Sequence, residues 1–149
     1  MILRGPHRPD LLKHETLPDI LADTVRRLPD KTALVWGSQT LSYCQLHLEA
    51  GRLAAALRRQ GVAAGQIVGL WLPRGLELLL AQAGIACSGA AWLPLDADTP
   101  VERIAVCLED AASPGLLTSR ALLPQLAGFP RPVWTVEDLL EGLPPDQPP

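Results

Sequence analysis

The sequence predicts an α/β protein with a Rossmann-like parallel sheet and helices on both faces. Three observations lead there. After residue 61, short apolar runs alternate with segments of helical periodicity, the pattern of strand–helix–strand units. Two of those runs, "QIVGLWLP" and "AAWLPL", show no polar alternation, as expected of strands covered on both faces. Helix-start signals stand before the periodic segments at Thr16, Ser42 and Thr99.

The elements follow in chain order. Thr16 is placed to cap a first helix, with Asp19 in its first turn and Leu17, Ile20, Leu21, Val25 and Leu28 at helical spacing. "LPDK" ends it. The β-rich runs Thr32–Trp36 and Gln39–Leu41 flank Gly37-Ser38, a two-residue hairpin signal. Ser42 and Gln45 form a capping box for a long helix whose apolar stripe is Leu46, Ala50, Leu53, Ala54 and Leu57. Glu49, Arg52, Arg58 and Arg59 face away from that stripe or flank it, and Gly61 stops the helix.

Ile67–Leu72 reads as a buried strand, and Leu76–Cys87 as a helix apolar on nearly all sides that should be sandwiched. Ser88, Gly89 and Ala90 permit a tight turn into a second buried strand, which Pro94 and Asp96 end. Thr99 as N-cap, Pro100 at the first helical position and Glu102 then start another helix. Its stripe is Val101, Ile104, Ala105, Leu108 and Ala112. "SPG" breaks it. "LLTS" is a short strand, "RALLPQL" at most a short helix and "PVWTV" a further strand. The organisation expected is an N-terminal arm over 1–16, a partial domain over 17–140 and a proline-rich tail over 141–149.

With 149 residues, 48% of them hydrophobic and 19% charged, the chain is of single-domain size and globular composition. A net charge of −3 offers no basic field for nucleic acid or an anionic membrane. The uncharged stretch Leu78–Leu95 is long enough to span a bilayer, but Gly84, Gly89 and Pro94 divide it into helix, turn and strand. A soluble, cytoplasmic protein is expected. Cys44, Cys87 and Cys107 are odd in number and far apart, which suits buried thiols better than disulfides or zinc.

No phosphate-loop, dinucleotide or nucleophile-elbow motif is present. His7, His14 and His47 are scattered, and an exposed polar position is the favoured reading for each. Asp96 and Asp98 make a carboxylate pair at a strand end, where function can sit. Turn chemistry and helix-start electrostatics are the favoured reading. Arg74 is either an anion contact at a strand end or a turn and ion-pair residue. Tyr43, Trp36, Trp71 and Trp92 read as core.

Taken in order, these stretches resemble the adenylate-forming (AMP-binding) ligases, most closely the adenylation domains of nonribosomal peptide synthetases. "LSYCQL" resembles the first core motif of that family and "CSGAAWLPLD" the second, while "VCLEDAASPGLLTS" is similar to the segment that follows. The likeness runs from about Leu17 to Leu140. Gln45 replaces the usual Glu and keeps the capping box, Ser88 stands where Ala is typical, and "DADTPVER" lacks one proline of the family pattern.

The resemblance implies an incomplete N-terminal subdomain of an adenylate-forming enzyme. For a complete member it implies ATP- and Mg-dependent formation of an aminoacyl adenylate and pyrophosphate. The loop that holds the ATP phosphates, the adenine and ribose motifs, the amino-acid pocket and the catalytic lysine follow this region in the family. It therefore carries no catalytic, cofactor-binding or metal residue onto this chain. The expectation is a chain inactive alone, from a truncated reading frame or an excised piece, that self-associates or docks with the missing downstream half. The alternatives are a non-catalytic assembly module completing a split ligase, and a piece of an acyl- or aryl-activating ligase.

Overall fold

In the computed structural model, which describes residues 8–11 and 13–142, local sequence signals set most element boundaries. Helix α1 (Leu17–Arg27) begins at the expected capping box: Thr16 accepts from the Asp19 amide, and the Asp19 side chain accepts from the Thr16 amide. Strands β1 (Thr32–Trp36) and β2 (Gln39–Ser42) pair antiparallel, with Trp36 opposite Gln39 across the two-residue turn. Gly37 takes φ +59 there, which hairpin turns demand and which glycine adopts without steric strain.

Helix α2 (Tyr43–Arg59) starts at the Ser42–Gln45 capping box. It ends in a Schellman motif: the Val62 amide reaches the Leu57 carbonyl, the Gly61 amide reaches Arg58, and Gly61 holds φ +89. The predicted stripe of α2 is buried in full.

Strand β3 (Ile67–Trp71), helix α3 (Leu76–Ser88), strand β4 (Ala91–Leu95), helix α4 (Val101–Asp110), strand β5 (Leu116–Thr118) and strand β6 (Val133–Thr135) build one parallel sheet of order β4-β3-β5-β6. Side chains alternate across it. Val68, Leu70, Leu72 and Leu117 meet α2, α3 and a last helix α5 (Val136–Glu141) on one face. Trp71 and Leu116 meet Ile104 and Leu108 of α4 and Leu126 of the 3-10 turn Arg120–Leu126 on the other. A third cluster, centred on Leu46, Ala50 and Leu80, fills the space between α2, α3, α1 and the hairpin.

Five expectations need correction. Strand β4 is the edge of the sheet and only half covered, and Pro94 lies inside it opposite Leu70. An edge tolerates proline because the missing amide has no neighbour to serve. Helix α4 starts one residue late: Pro100 is extended (φ −59, ψ 140) and is itself the N-cap, so Thr99 makes no side-chain cap and Glu102 falls off the capping-box spacing. Ala112 is not part of the α4 stripe but its exposed left-handed stop, at φ +48. Trp36 is 53% exposed at the hairpin tip, outside the core. Of the cysteines, Cys44 is exposed and Cys87 and Cys107 are half-buried.

Helix α5 was not expected. Thr135 caps it by accepting from the Asp138 amide. Arg120 donates to Asp138 and Glu141, and the Glu137 carboxylate accepts from the Arg120 amide. Arg52 pairs with Glu49 and donates to the Leu140 carbonyl. Glu141 thus closes a helix, and residues 143–149 of the expected tail lie outside the described residues.

Candidate functional site

In open α/β sheets the ligand crevice lies at the carboxyl ends of strands, where the chain reverses direction across the sheet. Here the chain passes from β3 to β4 on one side, then crosses back to β5 on the other, so the carboxyl ends of β3 and β5 mark that point. The ends are laced together. Thr118 Oγ1 donates to the Trp71 carbonyl at 2.8 Å, and Trp71 Nε1 donates to the Asp96 carbonyl at 3.0 Å. One buried tryptophan therefore fixes the ends of β3, β4 and β5 relative to each other. Sequence reading placed Trp71 in the core and left Thr118 unremarked; the signal was a lone hydroxyl in an otherwise apolar strand.

Beside this lacing, a cleft of about 410 Å³ opens between the ends of β3 and β4. Arg74, Gln82, Asp96 and Asp98 line it. The structure thus gathers the two aspartates and the arginine that the sequence singled out, yet no ion pair among the described residues joins them. Asp96 also does turn work, its carbonyl accepting from the Thr99 amide. Helix α3 begins here at Gly75 with no side-chain cap. Close by, burial and the negative charge of Glu137 hold the Glu77 carboxyl above the usual range.

A larger groove, about 880 Å³, lies toward the amino ends of the strands. Leu17 and Pro18 of α1, Cys87 of α3 and Trp92 of β4 line it. Burial pushes the Cys87 thiol up, with Arg58 opposing, so the sulfur is a thiol at neutral pH. The histidines do not converge. His7 lies outside the described residues and His14 is exposed. His47 is half-buried beside Pro18 and Asp19, its Nδ1 without a hydrogen-bond partner, because α1 covers the side of α2 that the sequence alone left open.

The AMP-binding enzyme family matches residues 21–146. The chain belongs to that family. Among curated proteins, this chain is 51% identical over 142 residues to the delta-poly-L-ornithine synthetase of Acinetobacter baumannii (strain AB307-0294), across 95% of its own length and 11% of that protein. It is 39% identical over 124 residues to surfactin synthase subunit 3 of Bacillus subtilis (strain 168), across 82% of its length and 10% of that protein. It spans about a tenth of the length of each of these relatives.

Among solved structures, it superposes on a nonribosomal peptide synthetase in an alpha-methyl-L-serine-AMP bound form with a TM-score of 0.80 and 32% identity, over 87% of this chain and 15% of that one. It also superposes on the N-terminal subdomain of Klebsiella oxytoca NpsA in complex with 3-hydroxybenzoyl-AMSN, with a TM-score of 0.78 at 24% identity, over 90% of this chain and 33% of that one. The chain therefore corresponds to the N-terminal part of an adenylation domain of the nonribosomal peptide synthetase type.

Among the described residues, no three His, Cys, Asp or Glu side chains gather as metal ligands. Gly37, Gly61, Gly65 and Gly128 have nothing within 4 Å of where a Cβ would be, and Gly75, at the start of α3, would meet only Trp36 Nε1 at 4.0 Å. What this region supplies is a fixed set of strand ends. No helix of the described residues is long and apolar enough to cross a membrane.

Proposed function

We propose that this chain is the opening structural layer of an ATP-dependent amino-acid adenylating enzyme of the cytoplasm, and that it contributes position rather than chemistry. The reading rests on the 51% identity, sustained over nearly the whole chain, to a synthetase whose name gives ornithine as its building block. An amino acid is accordingly favoured over an aryl or fatty acid as the group activated. In the complete enzyme, the acid and ATP react to an aminoacyl adenylate and pyrophosphate, with Mg serving the phosphates. No catalytic, cofactor-binding or metal residue is assigned to this chain.

Residues 17–140 act as a partial subdomain whose task is to hold the carboxyl ends of β3, β4 and β5 in register through Trp71 and Thr118. The chain alone is inactive and depends on the remainder of the subdomain, in the same or a separate polypeptide. The test is amino-acid-dependent pyrophosphate exchange, first with the chain alone and then with the chain joined to the downstream sequence of the ornithine-polymer synthetase. Exchange is expected only in the joined form. Exchange, or saturable micromolar ATP binding, by the chain alone would overturn the assignment.

A further inference from the structure

Helix α1 carries every local signal of a stable helix and almost none of the burial that a short helix needs. Its capping box is complete, a proline sits in its first turn, and Arg26 and Arg27 close its last. Yet none of its residues is buried, and Leu17 and Ile20, on its apolar stripe, are 58% and 48% exposed. Eleven residues are marginal as a helix in water without tertiary packing. The sequence thus specifies a stripe for which this structure provides one wall only.

The exposed end of that stripe opens onto the 880 Å³ groove. Ala63, Ala64, Gly89 and Ala90 are among the small residues lining it, and the half-buried ring of Trp92 lines it too. Small residues there leave room for bulky side chains of a second element. The edge strand beside it is not built to receive another strand along its length, since Pro94 offers no amide. The groove is suited to side-chain packing.

We propose that the α1 stripe and this groove are the seat of the polypeptide that continues the subdomain, which packs an apolar face against Leu17, Ile20 and Trp92. The NpsA subdomain identifies the occupant: it shares this fold over 90% of the chain, but the match takes up only 33% of its length. The rest of such a subdomain must therefore meet this part somewhere on its surface. On α4 only Val106 stays exposed among the large apolar side chains, whereas on α1 both Leu17 and Ile20 do, beside a groove. The proposal rests on the adenylation-domain reading, and its test separates the two.

The double variant Leu17→Gln, Ile20→Gln is made in the chain alone and in the chain fused to the downstream two-thirds of the relative's subdomain. Val106→Gln, at an exposed position on α4, is the control. In the chain alone the double variant is expected to move Tm by no more than about 2 °C, as surface changes do. In the fusion it is expected to lower Tm by about 5 °C or more, while Val106→Gln shifts neither. The proposal is overturned if the double variant is equally mild in both, if Val106→Gln is the damaging change, or if the fusion melts no higher than the chain alone. If the fusion shows the expected Tm pattern while the chain joined to the whole downstream sequence shows no pyrophosphate exchange, the activity reading falls and the docking seat stands.

Discussion

Helices α1 and α3 are opposites. Helix α1 is fully capped and strongly amphipathic but buries none of its residues. Helix α3 has a bare glycine at its start and hydrophobic residues on nearly every side, yet buries Leu80, Ala81, Gly84 and Ile85 against α2 and the sheet. One is written by local signals, the other by tertiary burial. The difference teaches that capping chemistry and core packing are separable in this chain, and that a helix rich in the first can still await the second.

The comparison breaks most visibly at Gly84. A Cβ there would meet Leu53 Cδ2 at 2.6 Å and Leu53 Cγ at 2.8 Å, so α2 and α3 are in contact through the glycine. Gly84→Leu is expected to destabilise by about 3 kcal/mol or more, since overpacking cannot relax between two helices already pinned to one sheet. Chemical denaturation checks it. A variant that unfolds at the wild-type midpoint would mean that α3 is not held by burial.

Gly89 comes next. It ends α3 at φ +88, with Ala64 Cβ 3.0 Å from where its own Cβ would be. Gly89→Val combines a left-handed β-branched residue with that contact, and a loss of about 2 kcal/mol is expected. Thr16→Ala addresses α1 instead. Removing the cap is expected to weaken α1 by about 1 kcal/mol. Because α1 is scarcely tied to the core, hydrogen exchange should accelerate in residues 17–27 alone, with global Tm nearly unchanged. Loss of protection in α3 as well would unite the two helices in one cooperative unit.

The smallest effect is a difference of sign with pH. Asp19, in the α1 capping box, is held below the usual carboxylate range by Thr16, first through its side chain and then its backbone. A lowered carboxyl stabilises the fold above its unfolded-state pKa, and that contribution is lost as pH falls through the folded value. Glu77, at the start of α3, is raised by burial and by Glu137. It disfavours the fold as pH climbs past its unfolded-state pKa toward the raised value. Acidification should therefore fray the start of α1 and relieve the start of α3. Glu77→Gln should raise Tm at pH 7 and leave it unchanged at pH 3. An equal gain at both would show that the Glu77 charge is immaterial.

What was legible in the sequence follows the same division. The Thr16 cap, the Ser42–Gln45 capping box, the Gly37-Ser38 turn and the run Ile67–Trp71 depend on neighbours a few residues away, and all were readable. Pro100 failed as a first helical residue because its backbone takes the extended region, which only the turn from Asp96 to Thr99 decides. Trp36 failed as core because burial depends on what packs above the hairpin. Helix α5 escaped notice because its six residues are too few for periodicity, although Thr135 with Asp138 three positions on was a cap signal in plain view. The lacing of Trp71, Asp96 and Thr118 joins positions 25 and 47 residues apart, and no spacing rule reaches that far.

The crossing from β4 back over to β5 has a consequence in time. Strands β3 and β4 with α3 between them form a self-contained unit once Leu95 has been made, but the other edge of β3 has no partner until Leu116 appears. At synthesis rates of roughly 5–20 residues per second, that edge stays open for about 1–4 s. During that interval Trp71, later almost fully buried against Ile104, Leu108 and Leu116, belongs to an unfinished surface. A nascent chain paused between Leu95 and Leu116 should therefore be the form most readily captured by chaperones, and the form most prone to pair with another ribosome's product.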